Sequence, residues 1–134
     1  MTMVVGLMYR FSRFCTPLAL LCLALGQARA VTLKEARQLY ATGEYTKAIK
    51  ASEAAIAANE YDNGWRLLML RARLTTGQYP EAMRFATELL RDYRYRVNAE
   101  ALWLFHLAYE ANGDAAQAGQ MLQVIMQFLN GQRG

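Results

Sequence analysis

The side chains able to do chemistry are few and scattered. His106 is the only histidine of the chain, and an imidazole is the group best suited to exchange protons near neutral pH. A catalytic base needs a partner held beside it, and a metal needs further His, Cys or carboxylate ligands. His106 instead stands among Leu102, Trp103, Phe105, Leu107 and Tyr109, a setting that reads as a packed histidine hydrogen-bonded by a neighbour. The sequence has no G-x-S-x-G elbow, H-E-x-x-H pair or glycine-rich phosphate loop. Carboxylates such as Glu53, Glu60 and Glu88 are spread out with nothing to mark a catalytic pair. The expectation is a chain that is not an enzyme, with no cofactor, no metal site and no small-molecule substrate. Arginine does recur with a regular offset: Arg37 and Arg71 are 34 residues apart. Two guanidinium groups standing one above the other can hold a carboxylate or acidic segment of a ligand. They can equally solvate a face or pair with local acids.

The same offset governs the elements that must position those arginines. TGEYTKA at 42–48 returns as TGQYPEA at 76–82 and, more loosely, as NGDAAQA at 112–118. Gly43, Gly77 and Gly113 each sit five residues before an alanine, Ala48, Ala82 and Ala118. Strand-type alternation is missing from residue 32 onward, and good helix formers dominate. Thr32 and Glu35 form a capping-box pattern for a first helix ending near Ala41, and a second runs over about 46–58. A polar connector over 59–63 leads to a helix over 65–75, and Pro80 opens another to about Arg91. Residues 92–97 read as a connector in which Tyr93 and Tyr95 lie among arginines, solvated and partly exposed. Asn98 caps a helix through Glu110, and Asp114 with Gln117 opens a last one reaching about Leu129. Each pair of helices is too thin to bury its own apolar faces, whereas stacked pairs share one core. The alanines let the second helix of each pair approach the first, and Tyr45 and Tyr79 are expected to plug the turns.

On Gly43-Glu-Tyr45-Thr-Lys-Ala48, Gly77-Gln-Tyr79-Pro-Glu-Ala82 and Gly113-Asp-Ala115-Ala-Gln-Ala118, the chain resembles the tetratricopeptide repeat (TPR) family, of the secreted bacterial type. Tyr109, Ala36 and Ala55 agree with further packing positions of that family. Leu70 and His106 replace its small residue in the first helix, and Ala115 replaces the turn aromatic. The resemblance implies an all-α, right-handed solenoid of three antiparallel helix-turn-helix units, with repeats over about 31–62, 63–96 and 97–130. It also implies a groove along the first helices that binds a protein or peptide partner. Its exposed positions here are Arg37, Tyr40, Arg71, Leu74, Trp103 and Glu110. The family's carboxylate-clamp positions carry Leu33, Arg37, Leu67 and Arg71, so that ligand specificity does not carry over.

Residues 1–30 have the layout of a secretory signal peptide. Arg10 and Arg13 precede an apolar run over 14–25, and Ala28-Arg29-Ala30 supplies a cleavage pattern after Ala30. A span needs about 20 apolar residues, so cleavage is the main expectation and retention as a membrane anchor over 11–26 the rival. Cys15 and Cys22 both fall in this leader, which leaves residues 31–134 without a disulfide. Of the 15 basic residues, Arg10, Arg13 and Arg29 lie in the leader and all 11 acids lie beyond it. The net charge therefore changes from +4 to 12 − 11 = +1. A nearly neutral domain gives no footprint for nucleic acid. The expected location is the periplasm or beyond.

The last helix presents Met121, Leu122, Val124, Ile125, Phe128 and Leu129, a broad apolar surface for an outermost element, with a short polar tail over 131–134. Met121, Val124, Ile125 and Phe128 are the expected interface residues. A partner covers that face, or a second copy does, or the chain is a truncated part of a longer secreted repeat protein or enzyme. The leading expectation is a non-enzymatic adaptor of the cell envelope that binds along its groove. The alternative is a structural, assembly or self-association repeat domain.

Overall fold

The computed structural model describes residues 29–131. The chain divides into residues 1–30 and residues 31–134. The expected leader therefore falls, apart from Arg29 and Ala30, outside the described residues, as do both cysteines. The second unit is all-helical: α1 (Leu33–Ala41), α2 (Tyr45–Ala57), α3 (Asn63–Thr75), α4 (Tyr79–Leu89), the single turn α5 (Tyr93–Arg96), α6 (Ala99–Ala111) and α7 (Ala115–Gly131).

Local chemistry explains where these helices start. The Glu35 amide donates to Thr32 Oγ1 at 3.3 Å, and the Thr32 amide donates back to the Glu35 carboxylate at 2.7 Å, a reciprocal cap for α1. Asn98 Oδ1 accepts from the Ala101 amide at 3.0 Å, and Asp114 Oδ1 from the Gln117 amide at 3.1 Å. Asp62 Oδ1 accepts from the Gly64 amide at 2.7 Å, so α3 begins at Asn63 rather than at Trp65.

The three elbows share one geometry. Gly43, Gly77 and Gly113 have φ of 84°, 74° and 77°, the left-handed region that glycine enters without cost to a Cβ. Each glycine amide donates to the carbonyl three residues back, and the next amide to the carbonyl five back from itself, as in Glu44 to Leu39 at 2.8 Å and Asp114 to Tyr109 at 3.0 Å. This double bond closes a helix and satisfies its last carbonyls. The degenerate third echo thus turns as the first two do. Asn59 closes α2 in the same way with φ of 58°, its asparagine taking the place of a glycine.

Helices α1–α2, α3–α4 and α6–α7 pack as hairpins, α1 lies against α3 and α3 against α6, and α2 and α4 are covered by α3 and α6 respectively. The first helices therefore stand in a row, a helical-repeat arrangement. Ala48, Ala82 and Ala118 are buried at the hairpin contacts. Ala36, Leu70 and His106, which occupy equivalent positions of the three first helices, are all buried as well. The larger core joins Leu70, Leu102, Phe105 and Tyr95 with Ala82 and Ala86, and a smaller one joins Ala36, Ala55, Trp65 and Leu68. Each large apolar side chain buried this way contributes roughly 1.5–3 kcal/mol. Arg73 ties three helices together: its Nη2 lies 3.0 Å from Glu53 Oε1 on α2, and its guanidinium lies 5.6 Å from the Phe85 ring centroid on α4.

Several details differ from the sequence expectations. The expected connector over 92–97 contains the helical turn α5, started by Asp92 Oδ1 accepting the Arg94 amide at 2.9 Å. Tyr95 within it is 1% exposed rather than solvated, while Tyr93 is exposed as expected. Burial of one aromatic ring outweighs the polarity of the arginines around it, because Arg91, Arg94 and Arg96 remain exposed while the ring is enclosed. Of the two turn tyrosines, Tyr45 stacks against Tyr40 at 5.2 Å between centroids, whereas Tyr79 remains 42% exposed and does not plug its elbow. The Tyr79 carbonyl instead accepts from Asn112 Nδ2 at 2.7 Å, a link between neighbouring elbows. Helix α7 continues through Gly131, beyond Leu129 and into the expected tail.

Candidate interaction surfaces

Two surfaces stand out, one on the row of first helices and one on α7. The first is an open cleft of about 220 Å³ lined by Arg37, Tyr40, Gly64, Leu67, Leu68, Arg71 and Glu100. Leu67 and Leu68 are buried and make its apolar floor. The Tyr40 hydroxyl is 3.0 Å from Thr75 Oγ1, which bridges α1 and α3 at one side. Gly64 allows α1 and α3 to approach: a Cβ there would lie 2.7 Å from Leu33 Cδ2 and 2.8 Å from Arg37 Nη2.

The two arginines at matching positions are not electrostatically equal. Arg71 Nη2 contacts Glu100 Oε1 at 2.5 Å, a partly exposed ion pair that spans α3 and α6. Arg37 stands at the cleft on α1. The carboxylate of Glu100 therefore already engages one of the two guanidinium groups.

Of the six groove residues expected from the sequence, the cleft gathers Arg37, Tyr40 and Arg71. Leu74 is half-buried and packs against the larger core. Trp103 and Glu110 lie on α6, each beside His106. Gly64, Leu68 and Glu100 escaped the sequence reading. Gly64 had a signal in Asp62-Asn63-Gly64, where a cap is followed by a glycine that a helix interior would avoid.

His106 is 7% exposed, and its Nδ1 lies 3.1 Å from the Ala118 carbonyl oxygen. A carbonyl only accepts, so Nδ1 carries the proton and the histidine bolts α6 to α7. Its Nε2 faces Glu110 Oε2 at 3.5 Å, and its ring lies 5.2 Å from Trp103, which is 49% exposed. Among the described residues no group of three or more His, Cys, Asp or Glu is placed to hold a metal ion.

At α5, Arg94 Nη2 and Nε lie 2.6 and 3.0 Å from Asp92 Oδ2. The hydrogen bonds from the Arg94 side chain and amide hold the Asp92 carboxyl below the usual carboxylate range, and the same pairing raises Arg94. Burial pushes the Tyr95 phenol up, against the opposing pull of Arg66 and Arg94.

The second surface is the outer side of α7. Met121 and Ile125, two of the four expected interface residues, turn inward and pack against the larger core. Phe128 is half-buried and Val124 exposed. Leu122, Met126 and Leu129 are exposed along with it.

No family model, characterised protein or solved structure matches the chain. The helical-repeat arrangement therefore rests on its own packing. Among the described residues, no helix is long and apolar enough to cross a membrane.

Proposed function

We propose that the chain is an assembly module of the bacterial cell envelope, a right-handed stack of TPR-type hairpins that joins protein partners and carries out no reaction itself. One observation carries this reading: α7 leaves Leu122, Met126 and Leu129 exposed together along one side of a terminal helix. Contiguous apolar surface of that kind marks a contact with another macromolecule. Export to the periplasm or beyond belongs to the same proposal and rests on the leader pattern in residues 1–30. The test compares native complexes recovered from producing cells for the wild type and for Leu122→Glu/Leu129→Glu. The complex should be lost while helical circular dichroism is kept. Recovery of the same complex from both would sink the assembly reading.

A second reading, an adaptor that binds a peptide along the first helices, is favoured by the cleft beside Arg37. Its apolar floor and cationic rim suit a short acidic segment with one or two aliphatic side chains. It ranks second because Arg71 is already engaged by Glu100.

A further inference from the structure

Two apolar seams run side by side along α7. The inner one consists of Ala118, Met121, Ile125 and Phe128, separated by 3, 4 and 3 residues. Ala118 is buried, and Met121 and Ile125 pack on the core. The outer one consists of Ala115, Gly119, Leu122, Met126 and Leu129, separated by 4, 3, 4 and 3 residues. At 3.6 residues per turn these five positions fall within a strip about 80° wide. Apolar residues that recur on average every ~3.5 residues form the seam through which two helices pack knobs into holes. The inner seam has found its partner in α6. The outer seam, with Leu122 38%, Met126 62% and Leu129 50% exposed, has none among the described helices.

The chemistry of the helix says what can cover it. From Ala115 to Gly131 there is no ionisable side chain, whereas α1, α2, α3, α4 and α6 all carry charges. A two-fold contact sets a surface against itself, so a charge near the axis meets its own like. The neighbours of the outer seam, Gln123, Gln127 and Asn130, are amides, which both donate and accept and so can pair with an identical group. The seam is also graded in size, from Ala115 and Gly119 at its start to Met126 and Leu129 at its end. Antiparallel pairing lays the small half of one helix against the large half of the other and brings Leu122 close to the axis. It also sets the helix dipoles in opposition. A parallel pair would stack small on small and leave gaps.

We infer that α7 of one chain pairs antiparallel with α7 of a second copy through Ala115, Gly119, Leu122, Met126 and Leu129, which makes the repeat stack a two-fold dimer. This rests on the assembly reading above and names the partner for it.

Cross-linking of the full-length chain tests the pairing. In a Cys15→Ser/Cys22→Ser background, Leu122→Cys, the seam position nearest the two-fold axis, treated with a short bismaleimide should give a species of twice the chain mass. Val124→Cys, on the opposite flank of α7, should not, which also controls for association through residues 1–30. Met126→Cys should cross-link far less than Leu122→Cys, because antiparallel pairing holds the two copies of residue 126 about 12 Å apart along the helix. In light scattering, Leu122→Glu and Leu122→Lys should each weaken self-association at least tenfold, and mixing the two should restore it. Leu122 is 38% exposed, so neither change disturbs the fold, and circular dichroism verifies this. Cross-linking from 124 or 126 equal to that from 122, or a mixture no tighter than its components, overturns the antiparallel dimer. Cross-linking from 122 only to a different protein in cells overturns the second copy and leaves the assembly reading standing. A wild type that stays monomeric, with no cross-link from 122 to any protein, overturns both.

Discussion

The Tyr95 hydroxyl donates to Asn63 Oδ1 at 3.0 Å, tying the turn before the third hairpin to the first residue of α3. The ring beneath that bond is fully enclosed by the larger core. The two contributions can be separated by substitution. Tyr95→Phe should cost about 1 kcal/mol, the net worth of one hydrogen bond. Tyr95→Ala should cost about 3–5 kcal/mol through the cavity it leaves. Urea unfolding followed by circular dichroism gives both values, and equal losses in the two variants would show that the ring contributes nothing beyond its hydroxyl.

Gly77 and Gly113 have no heavy atom within 4 Å of where a Cβ would stand, and both have positive φ. An alanine there meets only backbone strain. Gly77→Ala and Gly113→Ala are each expected to lower stability by about 1–2 kcal/mol. The two changes should depart from simple addition, because the hydrogen bond from Asn112 Nδ2 to the Tyr79 carbonyl links the two elbows. Thermal unfolding of both single variants and the double variant checks the sum.

The groove reading makes its own demand. Arg37→Glu with Arg71→Glu should abolish capture of any partner held in the cleft, while helicity is retained. The exposed Arg71–Glu100 pair is worth only about 1 kcal/mol or less to the fold. Gly64→Ala should weaken the same capture by displacing the Arg37 guanidinium. If pull-down of partners is indifferent to all three changes, the cleft is not where they bind.

Two groups near α5 set opposite pH limits. Asp92 titrates lower in the folded chain than its ordinary value. The stability it contributes is therefore present above the usual carboxylate range and is lost as pH falls through the lowered value. The Tyr95 phenol titrates higher when folded. Its contribution is complete below the ordinary tyrosine range, then declines as the unfolded chain ionises and is gone once pH passes the raised value. Stability measured against pH should lose part of its acid slope in Asp92→Asn and part of its alkaline slope in Tyr95→Phe. Unchanged slopes would contradict both assignments.

Much of the architecture was legible in the sequence because it is encoded locally. A glycine that must take positive φ, an alanine at a close helix contact and a capping residue each act within a few residues. Their recurrence at 34 and 36 residues therefore displays the repeats directly. The degenerate third elbow could be read for the same reason: Gly113 kept the one feature the turn requires.

What depends on distant partners was not legible. Tyr95 looked like a solvated linker residue because its neighbours are arginines, yet its surroundings are set by Asn63 and the core, far away in sequence. Arg37 and Arg71 looked equivalent until α6 delivered Glu100 to only one of them. On α7 the sequence shows a broad apolar surface, but periodicity cannot say which side α6 will take. Packing turned Met121 and Ile125 inward and left Leu122, Met126 and Leu129 outside. The sequence by itself determined how often the chain turns back and, to within a residue or two, where the helices of the three hairpins begin, because those depend on backbone strain and capping a few residues away. The tertiary structure alone decided which side chains remain available to a partner, because burial is a property of neighbours brought together from different hairpins.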